Sequence, residues 1–152
     1  MKTNLDAKRI YEDSAVRGAT PIELVIVLYD SAIADMRRAL TAMKQSDIES
    51  RARQFGHALL VLHQLQGTLD FERGGATARK FEQFYNLLQA KLLEAQMRGS
   101  HDLLQQQIRY MSEVRDCWTQ AQRLLQPRAG AASAPGASAP AGDGGATSEW
   151  NA

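Results

Sequence analysis

The segment from Thr20 to Glu23 is the strongest structural signal in the chain, because it marks the start of a long amphipathic helix. Thr20 can act as the N-cap, Pro21 occupies a first helical position that needs no N–H donor, and Glu23 can return a hydrogen bond to the Thr20 amide. Apolar residues then recur at spacings of three and four as far as Met43. They form two adjacent seams, so the helix can contact two neighbouring helices at once. We predict that this helix, over about residues 21–44, lies at the centre of a bundle.

A second helix is predicted from a capping box at Ser46-Asp-Ile-Glu49, which would start the helix at about Asp47. Its apolar stripe begins at Ile48. The permissive backbone of Gly74-Gly75 predicts the end of this helix.

Two further helices have the same periodicity. The third is expected over about residues 77–98, with Leu87 flanking its seam, and it ends at Gly99. The fourth is capped by Ser100 or Asp102 and closed by a proline beyond residue 125.

These signals predict an all-α fold, an antiparallel up-down four-helix bundle over residues 20–126, since no segment alternates with period two. Residues 1–19 lack a sustained period and are interpreted as an N-terminal arm. Residues 127–152 consist mainly of Ala, Gly, Ser and Pro, a composition that cannot bury enough apolar surface to order the chain. We expect them to form a disordered tail.

Composition excludes several classes of function. The 18 basic and 17 acidic residues leave no basic excess for binding nucleic acid. The lone cysteine, Cys117, cannot form an internal disulfide and is expected to be a small buried side chain. The longest apolar run, residues 24–29, is too short to insert into a membrane, and residues 1–20 hold no apolar signal core. A cytoplasmic location is therefore expected.

No catalytic or cofactor site is predicted. The glutamates have no histidine three residues further on, so the di-iron pattern of helical bundles is missing. His57, His63 and His101 have no Cys or carboxylate partner at metal-ligand spacing. Gly74-Gly75 lacks the lysine and hydroxyl of a phosphate-binding loop. We therefore expect no metal, no cofactor and no enzymatic activity.

One short motif leaves a signalling function open. The segment from His63 to Gly67 resembles the His-x-Leu-Lys-Gly stretch of histidine phosphotransfer domains, which are also four-helix bundles. His63 lies off the predicted core seam, as a phosphate acceptor must. Gln66 stands where that motif has lysine, so an ordinary surface histidine is the competing interpretation.

A broader set of residues, in order over about residues 10–126, resembles the flagellin-specific export chaperone family, FliS. Gln96 differs from the asparagine common in that family. The matching residues are Tyr11, Val16, Ala19, Pro21, Leu24, Leu28-Tyr29-Asp30, Ala58, Val61, Leu62, Leu65, Thr68-Leu69-Asp70, Gly74-Gly75, Tyr85, Leu92-Leu93-Glu94-Ala95, Arg115-Asp116-Cys117-Trp118 and Ala121.

The resemblance implies a cytosolic chaperone without enzymatic activity. Its partner would be the C-terminal segment of flagellin, which it would hold in an extended, wrapped form and keep from polymerising prematurely. It would then deliver this client to the flagellar type III export gate. The arm with Tyr11 would be associated with the client groove. An adaptor of the same fold for another secreted protein is an alternative.

Helices one and two carry more apolar positions than two core seams require, so some of these residues are candidate walls of a client groove. Each has an alternative interpretation as core filling. Together with matching positions in the arm and at Pro21 and Leu65, the candidate flagellin-binding residues are Tyr11, Val16, Pro21, Leu24, Val27, Leu28, Leu60, Val61 and Leu65.

Overall fold

The computed structural model describes residues 20–125, which form four helices and, within that range, no strand. The helices are α1 (Pro21–Lys44), α2 (Ile48–Gly67), α3 (Phe71–Arg98) and α4 (His101–Leu125). The prediction of an all-α four-helix bundle is confirmed. Residues 1–19 and 126–152 lie outside the described residues, so the arm and the tail stay predictions. Within α4 the chain passes from one compact unit, which ends at Asp116, to a second, which begins at Cys117.

The start of α1 is the predicted capping box. The Glu23 amide donates to Thr20 Oγ1 at 3.2 Å, and the Thr20 amide donates to Glu23 Oε1 at 2.7 Å. These two bonds satisfy backbone donors that have no partner within the helix. α1 buries more residues than any other described helix, among them Tyr29, Met36 and Ala39.

The start of α2 differs by one residue from the predicted capping box. Asp47, not Ser46, is the N-cap, and its carboxylate accepts from the Ser50 amide at 3.1 Å. Ser46 adopts a left-handed conformation with φ of 58° and so belongs to the turn. Ile48 becomes the first helical residue, ahead of the buried stripe that starts at Phe55, and is 75% exposed. Its predicted place in the core was wrong.

The boundary between α2 and α3 was also predicted wrongly. α2 ends at Gly67, where the Thr68 hydroxyl donates to the Leu65 carbonyl at 2.7 Å. α3 begins directly after Asp70, whose Oδ1 accepts from the amides of the second and third helical residues, each at 3.1 Å. Because these side chains satisfy both helix ends, the chain turns here and not at the glycine pair.

The glycine pair instead produces a kink inside α3. Gly75 has φ of 52° and ψ of −124°, a conformation that L residues rarely adopt. The other end of α3 was predicted correctly, since Gly99 is left-handed with φ of 62°. Ser100 caps α4, and its Oγ accepts from the Leu103 amide at 3.1 Å.

The core forms where α1 packs against α2 and α2 against α3. A buried contact between Tyr29 and Tyr85 also joins α1 to α3. α4 contributes buried Leu104, Ile108 and Met111 from its predicted stripe. Burying each large apolar side chain contributes about 1.5–3 kcal/mol, so these contacts account for most of the drive to fold.

Two further observations bear on the sequence predictions. Cys117 is exposed, so its predicted burial was wrong. The residue lies off the stripe of α4 that runs through Met111 and Trp118, and helical geometry therefore turns it outward. Over residues 20–125, none of the helices combines the length and the apolarity needed to cross a membrane.

Candidate interaction surface

The predicted groove residues of α1 and α2 fall into two groups. Leu28, Val61 and Leu65 are completely buried, and Leu24 is nearly so. A partner could contact these four side chains only if α1 and α2 separated or shifted.

The second group is accessible. Val27 is 37% exposed, Pro21 is exposed, and Leu60 is half-buried. Tyr11 and Val16 lie outside the described residues. The structure therefore leaves three of the nine predicted contacts within reach of a partner, without testing whether any of them binds one.

A polar cluster between α1 and α2 was missed by sequence analysis. Asp35 is almost completely buried, and its carboxylate accepts hydrogen bonds from His57 Nδ1 and, at 3.1 Å, from Arg38 Nη2. Arg38 also donates from Nε to Gln54 Oε1 at 3.3 Å. Asp35 lies among apolar seam positions, and only the tertiary packing brings His57 of α2 beside it. The cluster satisfies a buried charge and so fixes how α1 and α2 align.

Polar bonds also link α2 to α3. Gln66 donates to Asn86 at 2.6 Å and accepts from Gln89 at 2.9 Å. Arg51 donates to the carbonyl of Gln96 near the end of α3. These bonds hold α3 against α2, and one face of α3 stays open to solvent.

That open face of α3 is apolar. Leu87, Leu93 and Met97 are 58%, 47% and 84% exposed, and Ala90 is exposed between them. We call these four residues the α3 outer stripe. Their spacings of three and four place them on one side of the helix, opposite the buried Leu88 and Leu92. At a rise of 1.5 Å per residue, the stripe is roughly 15 Å long.

Charged groups border the α3 outer stripe. Glu94 accepts from Arg98 Nη1 at 2.6 Å and from Lys91 Nζ at 3.4 Å. These hydrogen bonds, chiefly the one from Arg98, hold the pKa of the Glu94 carboxyl below its usual range. An apolar stripe with a charged border is typical of a surface that binds another protein.

Sequence analysis did not identify the α3 outer stripe. Leu87 was expected to flank the core, and the structure exposes it instead. The signal that could have found the stripe is that Leu87, Leu93 and Met97 all fall off the seam formed by Tyr85, Leu88 and Leu92. Apolar residues beyond those that one buried seam requires indicate a second contact face.

The candidate phosphate acceptor and the potential metal ligands can now be located in the structure. His63 is exposed on α2, as a phosphate acceptor would have to be, but Gln66, at the lysine position of that motif, is engaged with α3. Among residues 20–125, His, Cys, Asp and Glu side chains nowhere gather in threes as a potential metal site.

Comparison with known proteins gives one consistent family. The family described as "Flagellar protein FliS" matches residues 3–124, which include nearly all of the four helices. The chain is 27% identical over 121 residues to the flagellar secretion chaperone FliS of Vibrio cholerae, covering 79% of this chain and 89% of the relative.

Two other relatives carry the same description. The chain is 27% identical over 109 residues to FliS of Salmonella typhimurium, covering 71% of this chain and 81% of the relative. It is 26% identical over 111 residues to FliS of Bacillus subtilis, covering 73% and 82%. The resemblance to FliS that the sequence shows is therefore found with relatives from three different bacteria.

Proposed function

Because the chain belongs to the FliS family of flagellar secretion chaperones, we propose that it binds the C-terminal segment of flagellin and holds it until export. In this proposal the chaperone prevents premature polymerisation and delivers its client to the flagellar type III export apparatus. The family match over residues 3–124 is the observation that carries the proposal. The activity requires binding and release and no catalysis.

The α3 outer stripe supplies a physical basis for binding such a client. An amphipathic segment presents apolar side chains at spacings of three and four, and Leu87, Ala90, Leu93 and Met97 repeat at the same spacings. Docking would remove apolar surface of both partners from water, at about 25 cal/mol per Å². Glu94 at the border would favour one orientation by pairing with a basic residue of the client.

The residues predicted from the sequence extend this surface in the proposal. Val27, Leu60 and Pro21 are accessible and would bind a second stretch of a long client. Leu24, Leu28, Val61 and Leu65 would take part only after a shift of α1 against α2. Tyr11 and Val16 of the predicted arm are proposed contacts of the client groove.

The proposed activity belongs in the cytoplasm. A subunit that polymerises outside the cell must be held apart before it enters the export apparatus, and a client kept unfolded can wrap a large surface and still be released. We expect the loaded chaperone, and not the free one, to engage the export gate.

A polymerisation assay tests the proposal. Flagellin from the same organism is seeded to form filaments, and light scattering is followed with increasing amounts of the chaperone. We expect growth to stop near one chaperone per flagellin, while flagellin lacking its C-terminal segment fails to form a complex on size exclusion. Unchanged growth at a several-fold excess would contradict the proposal.

The alternatives give different results in the same experiment. An adaptor for another secreted protein would leave flagellin polymerisation unaffected. A phosphotransfer domain would leave it unaffected and would take up an acid-labile phosphoryl group on His63.

A further inference from the structure

A charged cleft lies between α1 and α4, within the unit that ends at Asp116. Its volume is about 650 Å³, enough for a short stretch of peptide. Its apolar lining includes Ile33, which is buried, and the small half-buried Ala34. Its polar lining consists of guanidinium, carboxylate and hydroxyl groups, contributed by Asp30, Arg37 and Arg38 of α1 and Ser112, Arg115 and Asp116 of α4.

Internal ion pairs hold part of this charge in place. Arg115 donates from Nε to Asp30 Oδ1 at 2.7 Å and from Nη1 to Asp116 Oδ1 at 3.4 Å. The hydrogen bond with Asp30 raises the pKa of Arg115, so the guanidinium stays charged. Arg38 is held by Asp35 at 3.1 Å. Two of the three guanidinium groups that line the cleft are therefore held by ion pairs.

Arg37 differs from these two arginines. Its side chain lines the cleft and is exposed, and it forms no ion pair with any residue in the described range 20–125. A guanidinium group offers a fork of donors that matches a carboxylate. Among the described residues 20–125, Arg37 is thus the guanidinium group of the cleft without an ion-pair partner, and it can bind a carboxylate from outside.

We propose that this cleft between α1 and α4 binds an extended acidic peptide segment of a partner protein, with a glutamate or aspartate on Arg37 and a small apolar side chain over Ile33 and Ala34. Charge complementarity selects this occupant. The neighbouring Ser112 hydroxyl and Asp116 carboxylate accept backbone N–H groups of an extended chain.

The balance of charge in the cleft argues against a polyanion. Three arginines line the cleft together with Asp30 and Asp116, and Arg38 is also paired with Asp35, so little positive charge is left over, whereas nucleic acid requires a clustered basic surface. The Arg37 guanidinium, which has no ion-pair partner among residues 20–125, lies in the same lining as two carboxylates and suits single carboxylates spaced along a peptide. The lining of the cleft comes from α1 and α4 and includes no residue of the α3 outer stripe, so this binding does not depend on the contact proposed there for flagellin.

An NMR titration of the full chain tests the proposal. The probe is a short peptide of alternating alanine and glutamate, blocked at both ends, and the control peptide carries lysine in place of glutamate. We expect saturable amide shifts for the glutamate peptide at Ile33, Ala34, Arg37 and Ser112, weakened by salt. The lysine peptide should give none.

Matched variants locate the binding. Arg37→Gln is expected to weaken the affinity for the glutamate peptide roughly fivefold, the upper range for an accessible ion pair. Arg53→Gln, which removes an exposed arginine of α2, should leave it unchanged. Absence of saturable shifts, equal binding of the lysine peptide, or equal weakening by the two variants would overturn the proposal.

Discussion

The hydroxyl oxygens of Tyr29 and Tyr85 lie 2.9 Å apart in the interior of the protein and join α1 to α3. Both side chains are buried, and their ring centroids are 6.2 Å apart with the planes tilted by 60°. The hydrogen bond forms only while the two hydroxyl groups stay within reach of each other, so each tyrosine restricts where the other can lie. The pair therefore fixes the register of the two helices, more specifically than apolar packing alone would.

A double-mutant cycle on this pair should show strong coupling. Tyr29→Phe and Tyr85→Phe are each expected to lower the free energy of unfolding by about 1–2 kcal/mol, because each removes the hydrogen bond between the two buried hydroxyl groups. The double variant should lose less than the sum of the two. Urea unfolding of the four proteins measures the coupling, and additive losses would mean that the hydrogen bond does not contribute.

Alkaline pH should destabilise the protein through Tyr85. Burial, with the hydrogen bond to Tyr29, raises the pKa of Tyr85 above its ordinary value. The folded state therefore retains a proton that the unfolded state loses above about pH 10, so this contribution to stability is complete below that pH and falls above it, by up to about 1.4 kcal/mol per pH unit.

The measurement is urea unfolding between pH 9 and 11. Tyr85→Phe should lose stability less steeply with rising pH than the parent protein. Tyr110→Phe, which removes an exposed tyrosine, should keep the parental slope. Equal slopes for the parent and Tyr85→Phe would show that this tyrosine does not govern the alkaline limit.

Removing the buried carboxylate between α1 and α2 should be strongly destabilising. Asp35→Ala leaves His57 and Arg38 without their shared acceptor and opens a polar cavity. We expect a loss of about 3 kcal/mol. Glu113→Ala, which removes an exposed carboxylate of α4, should change stability by less than about 0.5 kcal/mol. Similar melting temperatures for the two variants would contradict the role assigned to Asp35.

The kink in α3 should require glycine. Gly75→Ala places a side chain on a residue with φ of 52° and is expected to cost about 1–3 kcal/mol. Gly56→Ala, in the interior of α2 with open space around the new methyl group, should stabilise by up to about 1 kcal/mol. If calorimetry shows stabilisation by both substitutions, α3 does not kink at Gly75 in solution.

The α3 outer stripe should matter for binding and not for folding. A variant with Leu87→Gln and Met97→Gln keeps good helix formers at exposed positions, so its melting temperature should stay within a few degrees of the parent. Its affinity for the C-terminal segment of flagellin should fall at least about tenfold, or about 1.4 kcal/mol.

Ile48→Gln is the matched control, since it removes an equally exposed apolar side chain from α2. Its affinity should be unchanged. If all variants bind flagellin as tightly as the parent, the client contacts another face, such as the accessible Val27 and Leu60 of α1 and α2.

The elements predicted best were those set by local chemistry. The capping box of Thr20 and Glu23 and the left-handed Gly99 act within a few residues, so the sequence alone reveals them. The end of α2 at Gly67 was missed because two signals for a helix boundary, Asp70 and the Gly74-Gly75 pair, lie close together in the sequence. Asp70, with its two amide hydrogen bonds, prevailed over the more conspicuous glycine pair.

The interaction surface was harder to predict because it depends on which apolar residues the packing leaves over. Val61 and Leu65 are spaced like groove residues, yet contacts with neighbouring helices bury them. Leu93 and Met97 have the same chemistry and remain exposed. Likewise, no pattern in the sequence pairs Asp35 with His57, since only the packing of α1 on α2 brings them together.

Isothermal titration of this protein with the C-terminal segment of flagellin from the same organism tests the proposed function most directly. We expect saturable one-to-one binding with a clearly negative heat-capacity change, as burial of apolar surface requires. No heat of binding over a range of temperatures, repeated with residues 1–19 deleted so that the chain cannot block its own groove, would contradict a role as a flagellin chaperone.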